Sequence, residues 1–483
     1  MGSNLQENKI AVKDKLNNGI DLIERSFKIG GNLDASIFYM SGVTDTQAVH
    51  EYVIKPLIGM DIGKAEGRKV IDYILENILW ASEVRTESSL DSISNSLIYG
   101  DCVTIIDGAG AAIVAACKKW DKRTISEPPT SAVLKGPREG FTEDMKSNTV
   151  QLRRILRSPA LIFEQMQISR YTNTNVCLAY MKGIADEKIV NKVRERLKAI
   201  DIDGIIDSYY VQQFLEERRG SVFKQINTCE KPDIAAARML EGRVAVIVDG
   251  SPIALTLPYM LLEDFQNSQD YYTRRDESTL RMIMRITAAL IGLLLPAYYV
   301  AVEIYHYDIL PIKMLVTIAG AVQGTPFPPL QETLLVAVLF MIIYDTSVMM
   351  PRYVGMAVSI VSALVLGETA VKAGIISSPT VLVVAISTLC SQLLPEQVGL
   401  TSLLKLCFIL AGGLFGVFGI MAGLLFLMAY MAGLDSYGTP FLAPFSPLIK
   451  EDLKDGLLRK GAADMVTRPY SIPGENKTRL KKD

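Results

Sequence analysis

The chain has 483 residues, 49% of them apolar, with 50 Lys+Arg against 52 Asp+Glu and a formal net charge of −2. No net basic patch emerges from that balance, which argues against nucleic acid as a partner. Two histidines, His50 and His306, and six cysteines without a CxxC pair leave little for a His triad, a zinc site or thioredoxin-like chemistry.

The averages hide a split. Residues 1–275 hold 35 Lys+Arg and 37 Asp+Glu, residues 276–449 only 6 and 9, and residues 450–483 return to 9 and 6. A near-neutral soluble domain (1–275) is therefore expected before a membrane domain (276–449) and a mildly basic tail (450–483). The opening MGSNLQENKI lacks the apolar core of a signal peptide, so the front domain is expected in the cytoplasm. Scattered cysteines fit a reducing compartment.

Helix and strand patterns alternate in the front domain. Val70–Trp80 has helical apolar spacing. GDCVTIIDGAGAAIVAAC (100–117) reads as strand, turn, strand. VCLAYMKG (176–183) is a strand, Glu187–Ile200 an amphipathic helix, and GRVAVIVDGSPIALTL (242–257) a second hairpin. Gly100 precedes Asp107-Gly108 by seven residues, as Gly242 precedes Asp249-Gly250. Both hairpins use a DG turn, where Gly supplies the positive φ. Duplication of a small α/β subdomain, with a division near residue 155, accounts for this. So do two unrelated hairpins with common turn chemistry. Gly136–Gly140 lacks the Lys-Ser/Thr of a P-loop. A surface loop carrying Pro137, Arg138, Glu139 and Phe141 is expected to touch other subunits. No cofactor, metal site or enzymatic activity is indicated.

In the membrane part, Leu280–Tyr305 is long enough to cross a hydrocarbon core of about 30 Å. Arg274, Arg275, Arg281 and Arg285 at its start place the front domain inside. Four full spans, 280–305, 330–350, 354–376 and 403–434, keep both ends inside, and leave 309–322 and 380–394 re-entrant or surface-lying. Six would also keep both ends inside, but would put Arg352 outside and require two very short helices, so four are expected. Gly412, Gly416, Gly419 and Gly423 suit close helix packing. So do Gly355, Ser359, Ala363 and Gly367 along the third span. On its other side lie Val358, Val361, Val365, Glu368 and Lys372. Glu368 and Lys372 form an i, i+4 pair. They either snorkel to the headgroups or face a water-filled axis. In the second case the three valines beneath them form an apolar constriction that gates by dewetting, and several copies must surround the axis.

The chain resembles the A subunits of the GerA-type spore germinant receptors over nearly its whole length. The resemblance rests on SEPPTSAVLKGPREGFTEDMKSNTVQLRR (126–154), NTCEKPD (227–233), EGRVAVIVDGSP (241–252), FQNSQDYY (265–272), PFPPLQE (326–332), MPRYVG (350–355) and GETAVKAGIISSP (367–379). It implies a spore inner-membrane protein, its front domain facing the spore core. It also implies assembly into a ring that forms an ion channel, alongside a transporter-like B subunit that recognises the nutrient and a lipoprotein C subunit. The sequence departs from the family at Ala337 and Met341, where acids are expected, and at Glu368 and Lys372, where Gln and Glu are frequent. The family's ion selectivity therefore does not transfer directly.

Overall fold

The computed structural model describes residues 1–59, 68–79, 83–118, 135–350, 365–456 and 459–480. The front domain contains two five-stranded sheets. The first is built from β1 (Leu22–Ile29), β2 (Leu33–Met40), β3 (Val84–Glu87), β4 (Cys102–Ile106) and β5 (Ala112–Ala115), in the order β1-β2-β4-β5-β3. The second uses β6 (Leu161–Ile168), β7 (Thr174–Met181), β8 (Asn227–Cys229), β9 (Val244–Val248) and β10 (Ala254–Leu257), in the order β6-β7-β9-β10-β8. Strand for strand, the two orders are the same.

Each sheet is buried on both faces, because alternate side chains feed opposite cores. In β9, Val244, Val246 and Val248 face α7 (Glu187–Lys198) and α8 (Ser208–Leu215), whereas Ala245 and Ile247 face α6 (Met145–Ile155) and α9 (Pro232–Leu240). The first sheet has α1 (Leu5–Lys15) and α5 (Leu90–Ile98) on one face. Its other face carries the helical stretch 46–59 and Arg68–Asn77.

The hydrogen bonds extend the likeness of the two halves beyond the hairpins. Asp107 of the first DG turn accepts from Leu5 N at the start of α1 (2.9 Å), and Asp249 of the second accepts from Met145 N at the start of α6 (3.1 Å). Gly108 N donates to Ser3 O and Gly250 N to Glu143 O, both at 2.8 Å. Asn8 and Asn148, each three residues into its helix, fold back onto the backbone of Gly2 and Thr142. Two unrelated hairpins would share the turns but not these partners. The same pattern makes α6 the counterpart of α1. The division therefore precedes Met145 rather than lying near 155. Buried Arg153 on α6 ties the halves together through Asp21 (2.7 Å).

The chain then enters a helical bundle. Among the described residues, three helices are long and apolar enough to cross a membrane: Arg275–Tyr305 (α10), Pro329–Met349 (α12) and Val398–Ala432 (α14). Ile312–Val322 (α11) and Ser378–Ser391 (α13) are shorter. α10 begins at the front domain, where Arg285 grips Asp270 at 2.6 and 2.9 Å. It ends where Tyr305 Oη donates to Gly413 O (3.2 Å) and Leu414 O (2.9 Å) of α14.

α14 is not one span. Gly416 has φ 64° and ψ −150°, outside helical space. Beyond it the chain doubles back. A Cβ on Gly419 would lie 2.3 Å from Ala411 O, and one on Gly423 would lie 2.9 Å from the Phe408 ring. In a straight helix those pairs stand about 12 and 22 Å apart. The run expected to cross once is thus a hairpin of two arms, 398–415 and 417–432. The 380–394 segment, expected to be re-entrant or surface-lying, is instead α13, buried at Val384, Ser387 and Ser391 and running back along α10. Ser387 Oγ donates to Gly292 O at 2.7 Å. Leu330, at the start of α12, packs on Gly413 near the hairpin tip. Tyr344, near the end of α12, shares a pocket with Val398 at the hairpin base. Met350 therefore lies toward the front domain and Ser377 at the distal end. Among the described residues α10, α12, α13 and the two arms of α14 each run the length of the bundle, and the last arm returns to the front-domain side.

Candidate functional site

The gate candidates Val358 and Val361, and the packing candidates Gly355, Ser359 and Ala363, lie outside the described residues. Val365 opens a π-helical turn, Val365–Thr369. Gly367 faces Val381 of α13, with a Cβ position 3.9 Å from that side chain. Glu368 and Lys372 form their i, i+4 pair at 2.5 Å, with side chains 55% and 74% exposed. No described part of the protomer covers this charged surface. It lies toward the distal end of the bundle, a few residues before Ser377.

The glycines of α14 pack closely, but within one chain. Gly412 sits against Ala297 O of α10 (2.6 Å to a built Cβ), Gly416 makes the turn, and Gly419 and Gly423 let the second arm touch the first. The subunit-contact candidates divide. Pro137 and Arg138 are exposed, and half-buried Glu139 is ion-paired to Arg154. Phe141 is 7% exposed in the core beside α6, so it is a packing residue and not a contact.

The structure adds a polar junction between front domain and bundle that sequence reasoning missed. Glu263 is buried and accepts from Arg243 (2.8 Å), Asn227 (2.7 Å) and Met260 N (3.1 Å), with Arg238 at 3.3 Å. Burial raises its carboxyl, but Arg243 and Arg238 outweigh that and hold it below the usual range. Beside it, Lys224 reaches Asp264 (2.8 Å) and Glu396, the latter in the loop before α14. Burial lowers the Lys224 ammonium, and these two carboxylates more than reverse it. Gln397 donates to Asp264 from the same loop. A cavity of about 310 Å³ opens here between Glu230, Arg238, Asn267, Arg285, Leu393, Leu394, Glu396 and Gln397. The motifs NTCEKPD and FQNSQDYY line it. That charge-rich sequence adjoining an apolar stretch was the available signal, but only folding brings 224–238, 263–270 and 396 together.

The tail also returns to this junction. Ser436 Oγ accepts from Tyr259 N (3.1 Å) and donates to Gln225 O (2.7 Å). Tyr259, Phe223 and Phe441 stack edge to face, and Gln266 Nε2 donates to Asp455 O (2.9 Å). Residues 396–397 and 430–441 thus join the hairpin base to the front domain by direct contacts.

A duplicated α/β domain docked on a helical membrane bundle by a buried ionic junction defines a membrane protein with a large polar module on one side. Residues 11–471 match the family described as Bacillus/Clostridium GerA spore germination protein. The chain belongs to that family. It is 36% identical to spore germination protein KA of Bacillus subtilis (strain 168) over 483 residues, covering 99% of this chain and 88% of that protein. It is 31% identical to spore germination protein GerLA of Bacillus cereus, covering 98% and 97%. The crystal structure of the N-terminal domain of the A subunit of the Bacillus megaterium spore germinant receptor GerK3 matches 54% of this chain and 97% of that one, at 33% identity and a TM-score of 0.44.

Proposed function

We propose that this chain is the A subunit of a nutrient germinant receptor in the spore inner membrane. Copies assemble as a ring around helices containing Val358, Val361 and Val365, forming a ligand-gated ion channel. A transporter-like B subunit senses the nutrient and a lipoprotein C subunit completes the receptor; the front domain and tail face the spore core. The observation that carries the reading is the uncovered Glu368–Lys372 pair on a stretch whose described flanks lie at opposite ends of the bundle. A polar helix surface that its own protomer leaves bare is satisfied by water along an axis between copies. The junction supports the gating part, since it links the hairpin base to the front domain through charges rather than a greasy seam.

The complex reconstituted in liposomes should carry current when germinant is added, and Val361→Ala should leak without it. A wild type silent under every germinant, with no leak in the variant, would refute the channel. A second reading, a non-conducting scaffold, is favoured by the extent of the docked front domain and tail. It is separated by cysteines at 358, 361 and 365, which react with a charged thiol reagent only where water reaches them. A solute transporter is a weaker alternative, because no inverted repeat is visible in the membrane sequence.

A further inference from the structure

The distal end of the bundle holds a polar cluster that neither the junction nor the gate uses. Glu332, in the first turn of α12, is fully buried. Its Oε1 accepts from both Ser377 N and Ser377 Oγ, each at 2.7 Å. Its Oε2 is buried with no partner. Ser377 Oγ lies 2.9 Å from Thr380 Oγ1, which is 3.4 Å from Tyr299 Oη of α10. One turn further along α10 stands half-buried Glu303, within electrostatic reach of Glu332 and with its own Oε2 buried and unpaired. Thr333, next along α12, is also fully buried with an unpaired hydroxyl. Among the described residues, neither carboxylate has a salt-bridge partner.

A buried carboxylate oxygen is costly to leave without a partner, and a bound cation would supply one to both carboxylates. The donors are two carboxylates and hydroxyls, all hard oxygens, and no trio of His, Cys, Asp or Glu stands among the described residues. Hard oxygen donors suit alkali and alkaline-earth cations rather than soft metals. We propose that Glu332 and Glu303 bind one monovalent alkali cation, with Thr380 and Tyr299 hydroxyls at its edge. The ion would fasten α10 and α12 to the Ser377 loop, where the charged Glu368–Lys372 segment ends. The site does not depend on the channel reading.

The test is thermal unfolding of the purified full chain in detergent, followed by circular dichroism, with NaCl or KCl replacing choline chloride at constant ionic strength. One of the two salts should raise Tm by about 3 °C at a hundredfold excess over Kd. Glu332→Gln and Glu303→Gln should each abolish the rise. Glu303 is half-exposed, so its variant decides alone if Glu332→Gln does not accumulate. A wild-type Tm indifferent to both salts overturns the proposal, as does a rise that survives in Glu303→Gln. A response to CaCl2 alone overturns it too, and a Tm that responds only to lowered pH identifies a shared proton instead.

Discussion

Alanine at Gly419 separates a hairpin from a single span. A methyl there would lie 2.3 Å from Ala411 O, on the facing arm. Carbon and oxygen tolerate about 3.3 Å, so the arms must part by about 1 Å. A gap of that size forfeits a quarter to a half of each dispersion contact along the seam, and overpacking of this kind costs about 1–3 kcal/mol. Against it stands the gain of about 0.5–1 kcal/mol for replacing a helical glycine by alanine. The net expectation for Gly419→Ala is a loss of about 0–2.5 kcal/mol. Gly320 in α11 is the control, because a Cβ there meets nothing within 4 Å. Gly320→Ala should therefore be neutral to stabilising by up to about 1 kcal/mol. Thermal unfolding of the two variants in the same detergent should move Tm in opposite directions. If Gly419→Ala gains stability like the control, the arms do not touch there and the doubled-back path is wrong.

Two further outcomes follow from the junction and the tail. Glu263→Gln leaves Arg243 buried beside a neutral amide, and should lower stability by about 3–5 kcal/mol, read as a fall in Tm of the full chain. A variant within 1 kcal/mol of wild type would show that the junction is solvated. Asp455 is pushed up to about 6 by burial and then by the Glu241 charge, against the hydrogen bond from Tyr271 and the charge of Arg459. Between about pH 4 and 6 the folded chain keeps a proton that the unfolded chain has lost, so this group makes stability fall as pH rises through that window. Asp455→Asn should flatten that slope and raise stability at pH 7 by at most about 3 kcal/mol. An unchanged slope would place the titration elsewhere.

Much was readable from local sequence. The charge split located the membrane part, because burying Lys, Arg, Asp or Glu in hydrocarbon is costly wherever it occurs. The DG turns and the apolar runs of β4, β5, β9 and β10 marked both hairpins, because turn chemistry and strand composition are local. The family followed from motifs spread along the chain. Phe141 was misread because a phenylalanine beside prolines and charges looks exposed; only the packing of α6 against the second sheet buries it.

The sequence by itself determined that a polar α/β module precedes an apolar helical one, that glycine must line the last helical run, and which family the chain joins. These depend on residue type and short spacing. Tertiary structure decided what spacing cannot carry. Gly416 was one small residue among four in a helical pattern, and its positive φ turns that pattern into two antiparallel arms. The matched capping bonds of Asp107 and Asp249 reach more than a hundred residues back along the chain. Glu332, quoted only as part of a motif, acquires its unpaired oxygen because α10, α12 and the Ser377 loop close around it. In each case the deciding partner is remote in sequence, and only the packed chain supplies it.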